Sequence, residues 1–263
     1  QLTRVRFPLH YDLRNGEAYS ASAIRQTNIS VLASEADSPS NKGWNLIGNP
    51  FLMDYTKGFL AIDGQWTNCL EYATLPNHNG TNYQYAEAGV DLNVIPFHTF
   101  FVQVEEACSL SFAYRYCLGL DDDDDDDPGF LAPKRTSLNA PPIMRTGLTL
   151  TGNNQDDRVG LRFSDKYTTD YDFNGDLSKW MNKDLNVYAL LGNEKVAFLA
   201  NPESVMAHLP LGYKATYAGE YTFALDSRYD YTNIQSILLT DAEEGVTTDL
   251  KSNSYSFQTN KGT

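Results

Sequence analysis

The sequence predicts an all-β protein made of two antiparallel β-sandwich domains, jelly-roll or Ig-like in type. Three observations carry that prediction. Apolar and polar residues alternate with a period of two, helical periodicity is nearly absent, and turn-forming pairs punctuate the runs at short spacing. Composition agrees: 41% of the 263 residues are hydrophobic, enough for a core, and 17 Tyr favour strands.

Along the chain, Lys42-Gly-Trp-Asn-Leu-Ile-Gly-Asn-Pro-Phe51 reads as the first well-marked strand. Trp44 and Leu46 fall on one face and Asn45 and Ile47 on the other. Trp44 is expected to anchor a core, with sugar stacking as the rival role. Pro50 lacks a ladder donor and pushes Asn49 to extended geometry, so the strand should stop at Asn49. Phe100, Phe101 and Val102 stand together, which predicts a strand near a sheet centre. Val159, Leu161 and Phe163 alternate with Gly160, Arg162 and Ser164, and Tyr221, Phe223 and Leu225 with Glu220, Thr222 and Ala224. Both runs read as strands with one wet face. Asn15-Gly16, Asn79-Gly80, Asn174-Gly175 and Tyr217-Ala-Gly219 are the turns between runs. A single helical turn is expected near Asn201–Ala207, opened by Pro202.

One boundary is legible. Residues 118–142 combine the run Asp121–Asp127 with Pro128-Gly129, Pro133 and Pro141-Pro142, a linker composition. The expected domains are therefore 1–140 and 141–263. The Asp run itself reads as an extended, solvated segment.

The formal net charge is −14, half of it in that run, which argues against nucleic acid and anionic membranes as partners. No apolar run approaches the ~20 residues of a membrane helix, so membrane insertion is not expected. The odd set Cys69, Cys108 and Cys117 leaves at least one thiol outside any intramolecular pair. Cys108 and Cys117 bracket a strand-like run and are too far apart to bond each other, while Cys69 could bond either.

Catalytic patterns are missing. There is no nucleophile elbow, zinc motif, phosphate loop or dinucleotide fingerprint. The four His stand in unlike contexts, and His98 reads as a core histidine of an apolar strand. The acid pairs Glu105-Glu106 and Glu243-Glu244 point to opposite strand faces. The sequence therefore predicts no enzyme. Two binding patterns remain. Asp170, Asp172, Asn174 and Asp176, with Gly175 in sixth place, match the first half of a calcium loop, although Met181 replaces the closing Glu. Calcium is thus the one candidate cofactor, and a solvated turn is the competing reading. Trp66, Tyr83, Tyr85 and Trp180 are candidate sugar-stacking rings, and ordinary strand packing is their competing reading.

Gly43-Trp-Asn-Leu-Ile-Gly-Asn-Pro-Phe51 resembles a strand of secreted surface proteins of Bacteroidetes-type bacteria, and Pro96-Phe-His-Thr-Phe-Phe-Val102 resembles the strand that follows it there. Asp156–Phe163, Leu209-Pro-Leu-Gly212, Gly219-Glu-Tyr-Thr-Phe223, Asp241–Leu250 and Tyr255-Ser-Phe257 are similar, in the same order, to the downstream modules. The resemblance covers most of residues 43–263, though the Asp run is foreign to it and one further strand would be expected after Thr263. It implies non-catalytic, adhesin-like or sorting-associated β-sandwich modules of an exported, extracellular cell-surface protein. The partners it implies are other domains of the parent protein, a host protein or a glycan. A carbohydrate-binding module serving a glycan-processing protein is the alternative.

Overall fold

The computed structural model describes residues 26–33, 36, 38–48, 60–62, 65–67, 72–76, 82–87, 98–113, 143–173, 175–205 and 208–260. The fold is all-β, and helix among the described residues is limited to single 3-10 turns at Pro39–Asn41 and Glu203–Val205. The second of these is the turn expected after Pro202.

The first half holds two four-stranded sheets. One comprises β1 (Gln26–Val31), β3 (Leu60–Ile62), β4 (Gln65–Thr67) and β8 (Cys108–Ala113), in the order β1-β8-β3-β4. The other comprises β2 (Trp44–Gly48), β5 (Tyr72–Pro76), β6 (Tyr83–Glu87) and β7 (Thr99–Gln103), in the order β2-β7-β5-β6. The expected strand in Lys42–Phe51 is β2. Its central neighbour is the Phe-Phe-Val strand β7, with Trp44 opposite Gln103 and Leu46 opposite Phe101. Ile47, Phe100 and Val102 are buried, and Leu46, on the Trp44 face, is 57% exposed. Gly43 enters β2 at φ +75°, where a Cβ would lie 1.8 Å from the Val104 carbonyl oxygen. That close approach makes glycine necessary there.

The second half is an eight-stranded sheet. Its strands are β9 (Met144–Gly152), β10 (Gln155–Phe163), β11 (Leu177–Ser178), β12 (Leu185–Leu191), β13 (Glu194–Asn201), β14 (Leu211–Ala215), β15 (Gly219–Leu225) and β18 (Tyr255–Thr259). The order is β14-β12-β13-β10-β9-β15-β18, with β11 attached to β13. The sheet curls until its edge strands meet, the rings of Tyr213 on β14 and Phe257 on β18 lying 5.0 Å apart. Leu148, Leu150, Val159, Leu161, Val187, Val196, Tyr221 and Phe223 fill the interior. A two-stranded hairpin, β16 (Leu238–Asp241) with β17 (Val246–Asp249), stands between β15 and β18 in the chain.

Two strand expectations need correction. The pair β10 and β13 is parallel, not antiparallel. After Phe163 the chain crosses through residues 164–184 and returns as the β12–β13 hairpin, which lays β13 along β10 in the same direction. Nor does β10 keep a wet face from Gly160 onward, although Asp156 near its start is exposed. Arg162 is 2% exposed, and Gly160 lies against the Phe198 ring, where a Cβ would come within 2.2 Å. Phe198 belongs to a second cluster, with Tyr85, Leu177 and Ala197, that covers this face. By contrast β15 alternates as expected, with Tyr221 and Phe223 buried and Glu220 exposed. His98 is exposed at the entry to β7 and is not a core residue of that strand, because pairing starts only at Thr99. The Asp run, the boundary near residue 140, Cys69, Cys117 and the pairs Asn15-Gly16 and Asn79-Gly80 lie outside the described residues.

Candidate functional site

The densest meeting of polar and aromatic side chains lies where the β2-β7-β5-β6 sheet packs on the eight-stranded sheet. Trp180, in the segment after β11, sits in a socket of rings from the first sheet. Its ring centroid is 4.4 Å from Phe101, 4.8 Å from Trp44 and 5.1 Å from Tyr83. The tilted and edge-on geometries suit the ring quadrupoles. Trp44 Nε1 donates to the Ser40 carbonyl at 3.0 Å. Alternation along β2 and β7 presents Trp44, Phe101 and Gln103 on one face, so the socket follows directly from strand register.

Polar bonds ring this socket. Gln103, 9% exposed, donates through Nε2 to the Lys42 carbonyl at 2.8 Å, and its Oε1 accepts from the Tyr171 hydroxyl at 2.7 Å. The Ser178 hydroxyl donates to the Ser40 carbonyl, and the Ser40 hydroxyl donates to Glu194 Oε2 at 2.8 Å. Tyr85 donates from its hydroxyl to the Trp180 carbonyl at 2.6 Å, and the Tyr83 amide donates to Asn182 Oδ1 at 2.7 Å. Each bond spends a buried polar atom that would otherwise be costly to desolvate.

Beneath Tyr85 lies a buried ion pair. Lys179 Nζ is 2.5 Å from Asp157 Oδ2, with side-chain exposures of 0% and 4%. The ammonium also faces the Tyr85 ring, 4.6 Å from its centroid. Asp157 accepts a further bond from the Val187 amide at 2.7 Å. Burial pushes the Asp157 carboxyl up and the Lys179 ammonium down, each against the attraction of its partner. Sequence reasoning passed over this pair. The available signal was parity, because Asp157 falls in phase with Val159, Leu161 and Phe163, and so occupies a core position of its strand.

The calcium pattern folds into a closed turn. Asp172 Oδ2 accepts from the Thr168 amide at 2.7 Å and from the Thr168 hydroxyl at 3.2 Å. Asp176 is 1% exposed, and its two oxygens accept from the Asp172 amide at 2.8 Å and the Ala200 amide at 2.7 Å. Burial raises its carboxyl to about 7 despite those donors. Asp170 is exposed, and Asn174 lies outside the described residues. The turn thus turns its two ordered carboxylates inward onto backbone amides. Among the described residues no group of three His, Cys, Asp or Glu is placed to hold a metal ion.

The four sugar-stacking candidates separate. Tyr85 is 2% exposed, so its ring cannot serve as an open platform, because packing across the two sheets covers it. Trp180 and Tyr83 are partly buried and stack on protein rings. Trp66 lies in β4, with its side chain outside the described residues.

Residues 67–263 match the family described as Domain of unknown function (DUF8693). The chain belongs to this family. No curated protein and no solved structure matches it. The DUF8693 segment begins at the last residue of β4 and runs across the expected boundary at residue 140. It therefore contains both sides of the junction: Tyr83, Tyr85 and Phe101 from one sheet, and Asp157, Lys179 and Trp180 from the other. Trp44 precedes the DUF8693 match and completes the socket from outside it.

Proposed function

We propose that this chain is a non-catalytic structural or adhesive module of an exported bacterial cell-surface protein, as the Gly43–Phe51 resemblance implies. The observation that supports this reading most directly is the use made of its ionisable and aromatic groups. Tyr85, Gln103 and Trp180 are consumed in joining two sheets, and Lys179, paired with Asp157 on its own side, meets the Tyr85 ring across the junction. A structural support needs such a junction, whereas a catalyst would keep some of these groups open to substrate. We read the two four-stranded sheets as the layers of one sandwich and the curled sheet as a second, Ig-like one. The partners under this reading are the other domains of the parent protein and a host protein or glycan. The test is protease shaving of intact cells of the source bacterium. Peptides from residues 143–260 are expected in the shaved fraction, and their recovery only after lysis would overturn the assignment.

A further inference from the structure

Lys179 and Asp157 bring an amine and a carboxyl together at 2.5 Å, with side-chain exposures of 0% and 4%. We propose that the two condense into an intramolecular amide, a covalent cross-link between β10 and the segment after β11, with the ion pair as its precursor. The inference stands or falls separately from the surface-protein reading above.

The geometry is that of a reacting pair. The Asp157 carboxyl carbon lies one bond of about 1.2 Å beyond Oδ2, so Nζ is at most about 3.7 Å from it, close to the ~3–3.5 Å of a near-attack contact. Both partners are held in place. The Lys179 amide donates to the Lys195 carbonyl at 2.9 Å, and its Nζ faces the Tyr85 ring at 4.6 Å. Asp157 Oδ2 accepts from the Val187 amide at 2.7 Å, a donor placed to take the negative charge that grows on this oxygen during attack. Burial pushes the carboxyl up and the ammonium down, each against the attraction of its partner, and so favours the acid and the free amine. Transfer of one proton from Nζ to the carboxylate produces both at once.

The step balances without a further reagent. Nζ attacks the carboxyl carbon and the C–N bond forms. The bond from that carbon to Oδ1 breaks, and Oδ1 leaves as water with the acid proton and one amine proton. The amide keeps the other amine proton, and Oδ2 stays as its oxygen on the Val187 amide. Nothing is oxidised or reduced. Asn182 Nδ2 faces the departing Oδ1 at 3.4 Å. The water has an exit, because a cleft of about 130 Å³ borders Asp157, Tyr85 and Asn182, several times the ~30 Å³ share of one liquid water. The product closes a ring of chain from residue 157 to residue 179 and fixes the crossing segment to β10 beneath the junction.

The experiment is intact-mass spectrometry of the full chain, denatured after days in the folded state at neutral pH, followed by trypsin and fragment sequencing. An ion pair and an amide both couple the two residues in stability, so mass is the measurement that separates them. The expected mass is one water below that of the sequence. Trypsin is expected to leave Lys179 uncut and to yield a branched species joining peptide 146–158 to peptide 167–183. Lys179→Arg and Asp157→Ala are each expected to restore the full mass. Fragment sequencing places the bond in the wild-type chain itself, so the result holds whether or not the variants fold. Full mass in the wild type, a water loss that persists in Lys179→Arg, or cleavage after Lys179 with no branched species would overturn the proposal.

Discussion

Lys179 Nζ lies 2.5 Å from Asp157 Oδ2 with neither side chain more than 4% exposed, so the junction of the two halves is built over a desolvated ion pair. Removing one member leaves the other buried without its counter-charge, to be either held as an unpaired ion or neutralised at a cost. Lys179→Met alone is expected to destabilise the protein by about 3–5 kcal/mol. Combined with Asp157→Asn, which keeps an acceptor for the Val187 amide, the loss should be smaller than the sum of the single losses. Urea unfolding of the four proteins of this cycle measures both quantities, and additive losses would show that the ions do not interact.

Asp176 should make stability depend on pH near neutrality. Its carboxyl is raised from 3.8 to about 7 in the fold, mainly by burial. Between those values the unfolded chain is ionised at this residue while the folded chain keeps its proton. Folding then takes up a proton, and stability falls as pH rises through the window, by up to a few kcal/mol. Asp157 is raised too, by burial against the pull of Lys179. In Asp176→Asn the slope between about pH 5 and about pH 8 should flatten, on top of a constant loss from setting an amide donor against backbone N–H groups. Thermal melts across that range decide the matter, and an unchanged slope would remove Asp176 from the account.

Trp180 should hold the halves together. Trp180→Ala removes a ring that contacts Trp44, Phe101 and Tyr83, and is expected to cost about 3 kcal/mol. Trp180→Phe should recover part of that. Limited proteolysis of the alanine variant should release a fragment beginning near residue 143, and resistance equal to wild type would contradict the socket's role.

Gly43 and Gly192 separate two kinds of strain. Both have positive φ, +75° and +60°, but a Cβ at Gly43 would meet the Val104 carbonyl at 1.8 Å while one at Gly192 meets nothing within 4 Å. Gly192→Ala should cost about 1 kcal/mol, the conformational term alone. Gly43→Ala should cost clearly more, read as a larger drop in denaturation midpoint. Equal losses would mean that the backbone near Val104 yields.

Calcium should not stabilise the protein. Asp172 and Asp176 already accept bonds from Thr168, Asp172 and Ala200. A cation would have to displace those donors, so the melting temperature should stay constant into millimolar calcium. A rise with concentration is the mass-action signature of a site and would restore the cation reading.

The residues that read correctly in the sequence are those whose fate depends on near neighbours along the chain. The alternation of Tyr221 and Phe223 with Glu220, the central place of Phe100–Val102 and the turn after Pro202 all follow from local pattern. The hairpin turn at Asn153 and Asn154, at φ +51° and +58°, was equally local, since Asn tolerates the left-handed region, but it was not among the turns expected.

By itself the sequence determined that this chain forms strands, where several of them run, and which residues are inward on β15, because side-chain period and turn chemistry are properties of short segments. Only the tertiary structure decided that both faces of β10 are covered from Gly160 onward, that β13 runs parallel to it, and that Trp180 and Tyr85 close on protein instead of facing outward. Those outcomes depend on which surfaces meet across more than ninety residues of chain, as Tyr85 meets Trp180, and no local period encodes that meeting.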